Sequence, residues 1–113
     1  MSVLARDPIP PGTLDMLVLR TLARHGELHG FEIAEAIARI SSDVLQVEEG
    51  SLYPALQRML LKGWVTAEWG RTDENRRARY YRVTAGGRRQ LERSMASYQR
   101  VADAIARALQ PSE

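Results

Sequence analysis

The sequence predicts a mainly α-helical fold with a small β-hairpin and a long C-terminal helix. Three observations predict it. Apolar residues recur at helical spacing in three short stretches between residues 14 and 62. Val65, Ala67 and Trp69 alternate with Trp64, Thr66 and Glu68, and Tyr80 to Val83 return after a polar, arginine-rich turn. From about Ala85 to Gln110 the chain then carries a single long helical repeat.

At 113 residues the chain suits one domain. Its core would be small, so burial shared between copies would help. No run reaches the ~18 apolar residues of a membrane span. Arg6-Asp7-Pro8 interrupts any secretory h-region at the N-terminus. There is no cysteine, which removes disulfides and thiolate metal sites. A cytoplasmic location with no cofactor and no bound metal is the expectation.

Residues 1–11, with Pro8, Pro10 and Pro11, read as an irregular arm. Gly12-Thr13 offers an N-cap, and Asp15 sits in the first turn, where the helix dipole favours an anion. Leu14, Leu17, Val18, Leu19 and Leu22 form the apolar stripe of the first helix, which Gly26 should end. The second helix is expected from Gly30 to Ile40, with Phe31, Ala34, Ile37 and Ala38 inward and Ile33 and Ile40 as further candidates. Ser41-Ser42-Asp43 breaks it, and Leu45-Gln46-Val47 alternates as a short strand would. For the third helix, Ser51 is the expected N-cap and Pro54 falls in the first turn, where its missing N–H does no harm. Leu52, Ala55, Leu56, Met59 and Leu60 take buried spacing. Ser51, Tyr53, Gln57, Arg58 and Lys62 point elsewhere, and Gly63 stops the helix.

The hairpin follows, with its polar turn expected over Gly70 to Ala78. Trp64 and Trp69 fall on opposite strand faces, Trp64 in the core and Trp69 in a structural role, with the rim of a pocket as its alternative. Tyr80 and Tyr81 also split, one inward and one outward. Thr84 caps the last helix. There Leu91, Tyr98 and Ile105 are seven apart, and Met95, Ala102 and Leu109 repeat the step four residues later. This is an a/d seam, and a narrow apolar seam needs a partner. The expected partner is a second copy, while the first turns pack on their own domain.

Three helices, a hairpin and a long final helix is the order of a winged helix-turn-helix. Residues 12–84 would form that unit and 85–110 a dimerisation helix. In this design the third helix enters the major groove and the hairpin touches adjacent backbone. Charge agrees. The whole chain is only +2, yet residues 71–93 hold eight arginines against Asp73, Glu74 and Glu92. A basic segment on a near-neutral body suits a polyanion, although a solvated arginine face reads the same way. Arg76, Arg77 and Arg79 are placed for phosphate or minor-groove contact. Gln57 or Arg58 could read base edges, glutamine favouring adenine and arginine guanine. Lys62 is the only lysine among sixteen basic side chains. Arginine suits phosphate, but a GC-rich genome produces the same bias.

Four motifs in order resemble the PadR family of bacterial transcriptional regulators. They are Gly12 and Leu14 at the first helix, His29-Gly30-Phe31-Glu32-Ile33, Leu52-Tyr53-Pro54-Ala55-Leu56-Gln57-Arg58, and Arg79-Tyr80-Tyr81-Arg82-Val83-Thr84 followed by Gly87 and Leu91. The resemblance runs from about Gly12 to Leu109, and the single terminal helix resembles the short-tailed branch. It implies a homodimer joined through Leu91, Met95, Tyr98, Ala102, Ile105 and Leu109. It also implies repression of transporter or stress genes, and in some members release from DNA by a small-molecule effector. Carried residue by residue, it places Ser51, Tyr53, Gln57 and Arg58 at double-stranded DNA from the third helix, and Arg76, Arg77 and Arg79 from the wing. A two-fold dimer implies an inverted-repeat operator. Phe31 stands where the family usually has Tyr and Leu60 where it has Glu. The terminal helix lacks the tryptophan on which some relatives stack ligands.

Other functions find little support. His25 and His29 straddle a turn and lack further ligands for zinc, so His29 is expected as a cap or packing residue. Glu48-Glu49 reads as a solvated pair, and no nucleophile, base or phosphate loop appears. The chain is therefore not expected to be an enzyme. The competing reading is a winged-helix module that binds protein, because fold alone does not fix function.

Overall fold

The computed structural model describes residues 9, 10 and 12–112, so most of the expected N-terminal arm lies outside the described residues. The helices are α1 (Leu14–His25), α2 (Gly30–Ile40), α3 (Glu49–Leu61) and α4 (Ala85–Ala108). The strands are β1 (Glu27–His29), β2 (Val65–Arg71) and β3 (Arg77–Val83). They form one antiparallel sheet in the order β1-β3-β2. This is a winged helix-turn-helix with a long terminal helix, as the pattern of elements predicts.

The core lies where α1, α2 and α3 meet the inner face of the sheet. Val18, Leu19 and Leu22 enter it from α1, Ile33 and Ile37 from α2, and Leu52, Leu56 and Met59 from α3. Val65, Tyr81 and Val83 close it from the strands, and Leu91 from α4. Leu91, expected in the seam between copies, is therefore an intramolecular core residue. Its turn of α4 is the one that lies on the domain.

Four local expectations need correction. Phe31 and Ile40 are exposed, and Ala36 is buried instead. The buried stripe of α2 runs Gly30, Ile33, Ala36 and Ile37, a three-and-four spacing that leaves Phe31 facing the hairpin side. Leu45–Val47 makes no strand, and the third strand is Glu27–His29, paired with Tyr80–Arg82 in the half of β3 nearer the body. Three residues are too few for alternation to announce a strand. Helix α3 starts two residues before Ser51, with Glu48 as N-cap. Pro54 thus falls in the second turn, and the exposed Gly50 carbonyl lacks the N–H it would otherwise receive. The hairpin is also longer than expected. Gly70, Arg71, Arg77 and Ala78 belong to its strands, leaving Thr72–Arg76 as the tip.

Thr84 joins sheet to helix with no linker. Its Oγ1 accepts from the Gly87 N–H at 3.0 Å and donates to the Gly63 carbonyl at 2.7 Å, with the Trp64 carbonyl 3.1 Å away. Its own N–H donates to the Trp64 carbonyl at 3.0 Å. The first turn of α4 is thereby pressed onto the start of β2. A Cβ on Gly87 would stand 2.1 Å from the Trp64 carbonyl oxygen, so only glycine fits. Beyond Leu91 the helix leaves the body; its 24 residues span roughly 36 Å at ~1.5 Å each.

Gly87→Ala must push α4 off β2. Chemical denaturation should show a loss of ~1–3 kcal/mol, the usual cost of forced overpacking. Gly86→Ala, where a Cβ meets nothing closer than 3.7 Å, serves as the control and should be near neutral.

Candidate nucleic-acid interface

The inner face of the hairpin continues past the core. Val65 opposes Val83 and Ala67 opposes Tyr81; farther out, Trp69 opposes Arg79 and Arg71 opposes Arg77. Alternate residues of a strand share a face, so one surface turns from apolar to cationic as it leaves the body. Trp69 is 59% exposed. The Arg77 guanidinium lies 4.4 Å from the Trp69 ring centroid and that of Arg79 5.7 Å. Arg79 Nε is buried and has no hydrogen-bond partner among the described residues.

Helix α3 faces this surface with Tyr53 and Gln57, one helical turn apart. Together with Trp69, Arg77, Arg79 and the start of α2 at His29, Gly30 and Phe31, they line a hollow of about 450 Å³. Tyr53 is half exposed and lies directly over Gly30, where a Cβ would come within 2.7 Å of the phenol oxygen. The glycine of the His-Gly-Phe motif therefore makes room for the tyrosine of the Leu-Tyr-Pro motif.

A second hollow, of about 680 Å³, adjoins the first near the hairpin tip. Arg76 and Arg77 line it beside Glu32, Glu35, Asp73 and Glu74. Its wall is ordered by His29, whose N–H donates to Glu32 Oε1 at 3.1 Å and whose ring meets Tyr80 edge-on at 5.3 Å. The Tyr80 hydroxyl donates to the Arg71 carbonyl at 3.2 Å. Burial raises its pKa, and the carboxylates of Glu32, Asp73 and Glu27 add to the rise. Burial also raises Tyr81, with Arg79 pulling the other way. Both phenols stay neutral donors near neutral pH.

Tyr53, Gln57, Arg77 and Arg79 thus converge on one concave surface, and Arg76 stands at its outer edge. Ser51 does not join them. It lines a separate hollow of about 310 Å³ with Pro10, Leu14 and Val47. Arg58 is held elsewhere too, its Nη2 donating to Asp15 Oδ1 on α1 at 3.0 Å. Asp15, read from sequence as a dipole partner, is the anchor of that pair. Two further residues line the hollow: Phe31, expected in the core, and Trp69, expected in a structural role. Only the strand register, which sets Trp69 opposite Arg79, shows which side chains it meets. On α4, Met95, Tyr98, Ile105 and Leu109 form an exposed stripe flanked by Val101, with Ala102 half-buried.

The model of the PadR-like transcriptional regulator family matches residues 18–93, from α1 through the hairpin to the first turns of α4. The chain belongs to the PadR family. A PadR-family regulator from Eggerthella lenta is similar at 29% identity, over 89% of this chain and 85% of that one, with a TM-score of 0.75. A PadR-like regulator from Bacillus cereus is 26% identical over 89% and 95% of the two chains, with a TM-score of 0.74. A transcriptional regulator from Clostridium thermocellum has the same fold, with a TM-score of 0.79 at 23% identity over 88% and 95%. An uncharacterised protein of Lysinibacillus sphaericus is 28% identical over 102 residues, 90% of this chain and 93% of its own. As a PadR member the chain is a DNA-binding regulator rather than an enzyme. No helix among its described residues is long and apolar enough to cross a membrane.

The Arg58 side chain is about half exposed and that of Asp15 partly so, so the worth of the pair should be small. A double-mutant cycle with Arg58→Ala and Asp15→Ala should give a coupling of ~0.2–1 kcal/mol in unfolding. A coupling of zero would mean that the pair contributes nothing to holding α3 on α1.

Proposed function

We propose that this PadR chain is a homodimeric repressor that binds an inverted-repeat operator, with α3 in the major groove and the hairpin on the neighbouring backbone. The observation that carries the reading is the single concave surface between α3 and the wing, where Tyr53 and Gln57 face Arg77 and Arg79. Gln57 offers the donor and acceptor needed at an adenine edge. Arg77 and Arg79 supply phosphate contacts, Tyr53 a hydroxyl, and Arg76 reaches backbone beyond the tip. Arg58 is assigned to holding α3 on α1, and Ser51 to the far end of α3.

The dimer reading is supported by α4. Beyond Leu91 the helix carries Met95, Tyr98, Ala102, Ile105 and Leu109 on one stripe that its own domain leaves largely open. Two such helices side by side would bury both stripes and set two readers about one helical turn apart. Repression of its own gene and of neighbouring transporter or stress genes would follow from occupying their promoters. A hollow of about 400 Å³ between α1 and α4, lined by Met16, Arg93, Tyr98 and Val101, is the place for a small-molecule effector that alters the dimer.

The test is recovery of sheared DNA from the source genome at near-physiological salt. An inverted repeat upstream of the chain's own gene or a neighbouring permease supports the reading. Recovery without a motif moves weight to a protein-binding winged helix.

Two variants separate the parts of the interface. Arg77→Ala should weaken binding to every sequence and lower the salt slope by roughly one per wing. Gln57→Ala should keep that slope but relax preference at one base pair, worth ~1–3 kcal/mol of discrimination. Identical slopes for Arg77→Ala and wild type would remove the wing from the backbone. Ile105→Glu should yield monomers in analytical ultracentrifugation while the domain stays folded; an unshifted dimer would place the contact elsewhere.

A further inference from the structure

We propose that Trp69 is a positioning residue, a stacking platform that holds Arg77 and Arg79 spread toward the α3–wing groove before DNA arrives. The inference rests on the reading of that groove as the DNA site.

Burial does not explain the tryptophan. Trp69 is 59% exposed, lies outside the core, and stands at the point where the inner face of the hairpin passes beyond the helices. What it touches is cationic. Arg79 is its direct cross-strand neighbour, and Arg77 lies one diagonal step nearer the tip. Both guanidinium groups lie within cation–π reach, at 4.4 Å for Arg77 and 5.7 Å for Arg79. All three line the hollow that Gln57 and Tyr53 enter from α3.

Stacking has a chemical advantage here. A guanidinium lying on an aromatic face keeps its N–H edge free, so it can still donate to a phosphate in its own plane. Lysine would gain less, because it is a point charge without a plane to stack. The contact is closest at Arg77, and at Arg79 the Nε is buried beside the ring without a hydrogen-bond partner among the described residues. Arginine loses much rotamer freedom when it binds. A platform that removes part of that freedom beforehand reduces the loss at the moment of binding. The alternative role, an apolar cover for the wing, requires bulk but no aromatic face.

The experiment uses the full chain and a fluorescein-labelled 30-base-pair duplex of mixed sequence at low salt, read by anisotropy. The contacts concerned are to backbone, so no operator is needed. Trp69→Leu keeps apolar bulk and should weaken binding about 5-fold, while Trp69→Phe should stay within about 2-fold of wild type. In an Arg77→Ala/Arg79→Ala background, Trp69→Leu should cost nothing further, because the platform then has nothing to hold. Thermal melts of each variant check that the wing is folded. Equal losses for Leu and Phe, or a Leu loss that persists without the arginines, would overturn the proposal. So would wild-type binding by Trp69→Leu. If wild type itself shows no salt-dependent binding, the DNA reading fails first and takes this inference with it.

Discussion

The register of β2 on β3 is the constraint on which the rest of this molecule depends. The same strand face must close the core with Val65, Tyr81 and Val83 and then present Trp69, Arg77 and Arg79 to the groove. A slip of one residue would turn every side chain to the other face. It would expose the apolar residues and point the arginines away from α3. Core packing therefore fixes the register, and the register aims the cations. The core and the cationic hollow are two ends of one surface.

The groove itself is built by small residues that let large ones approach. Gly30 admits Tyr53 against the start of α2, which brings α3 close enough to share a hollow with the wing. The carboxylates of Glu32, Glu35, Asp73 and Glu74 lie together on the neighbouring hollow. In the proposed DNA complex these carboxylates would repel a phosphate backbone, and Arg77 and Arg79 would attract it. The charge pattern thus gives the surface a direction as well as a sign.

Much of this was legible in the sequence. The spacing of Val18, Leu22, Ile37, Leu56 and Met59 located three helices and their buried sides, and Thr84 located the start of α4. What escaped depended on pairing between distant segments. Glu27–His29 became a strand only because β3 offers it an edge. Phe31 was assigned to the core by residue type, but its angle on α2 turns it outward. Trp69 looked structural because nothing in a linear pattern announces which residue will stand across from it. Arg58 is exposed on α3 and basic, and its ion pair with Asp15 of α1 is invisible in the sequence because the two lie far apart along the chain. At the site, residue chemistry was visible early; which residues share one concavity was not.

The junction at Thr84 has a mechanical consequence. Strand β3 ends at Val83 and α4 begins at Ala85, with Thr84 bonded to both Gly63 and Trp64. No flexible segment separates the wing from the base of a rod roughly 36 Å long. The end of β3 and the base of α4 are thus clamped to the same two carbonyls, those of Gly63 and Trp64, so the direction of the rod is set where the wing strand ends.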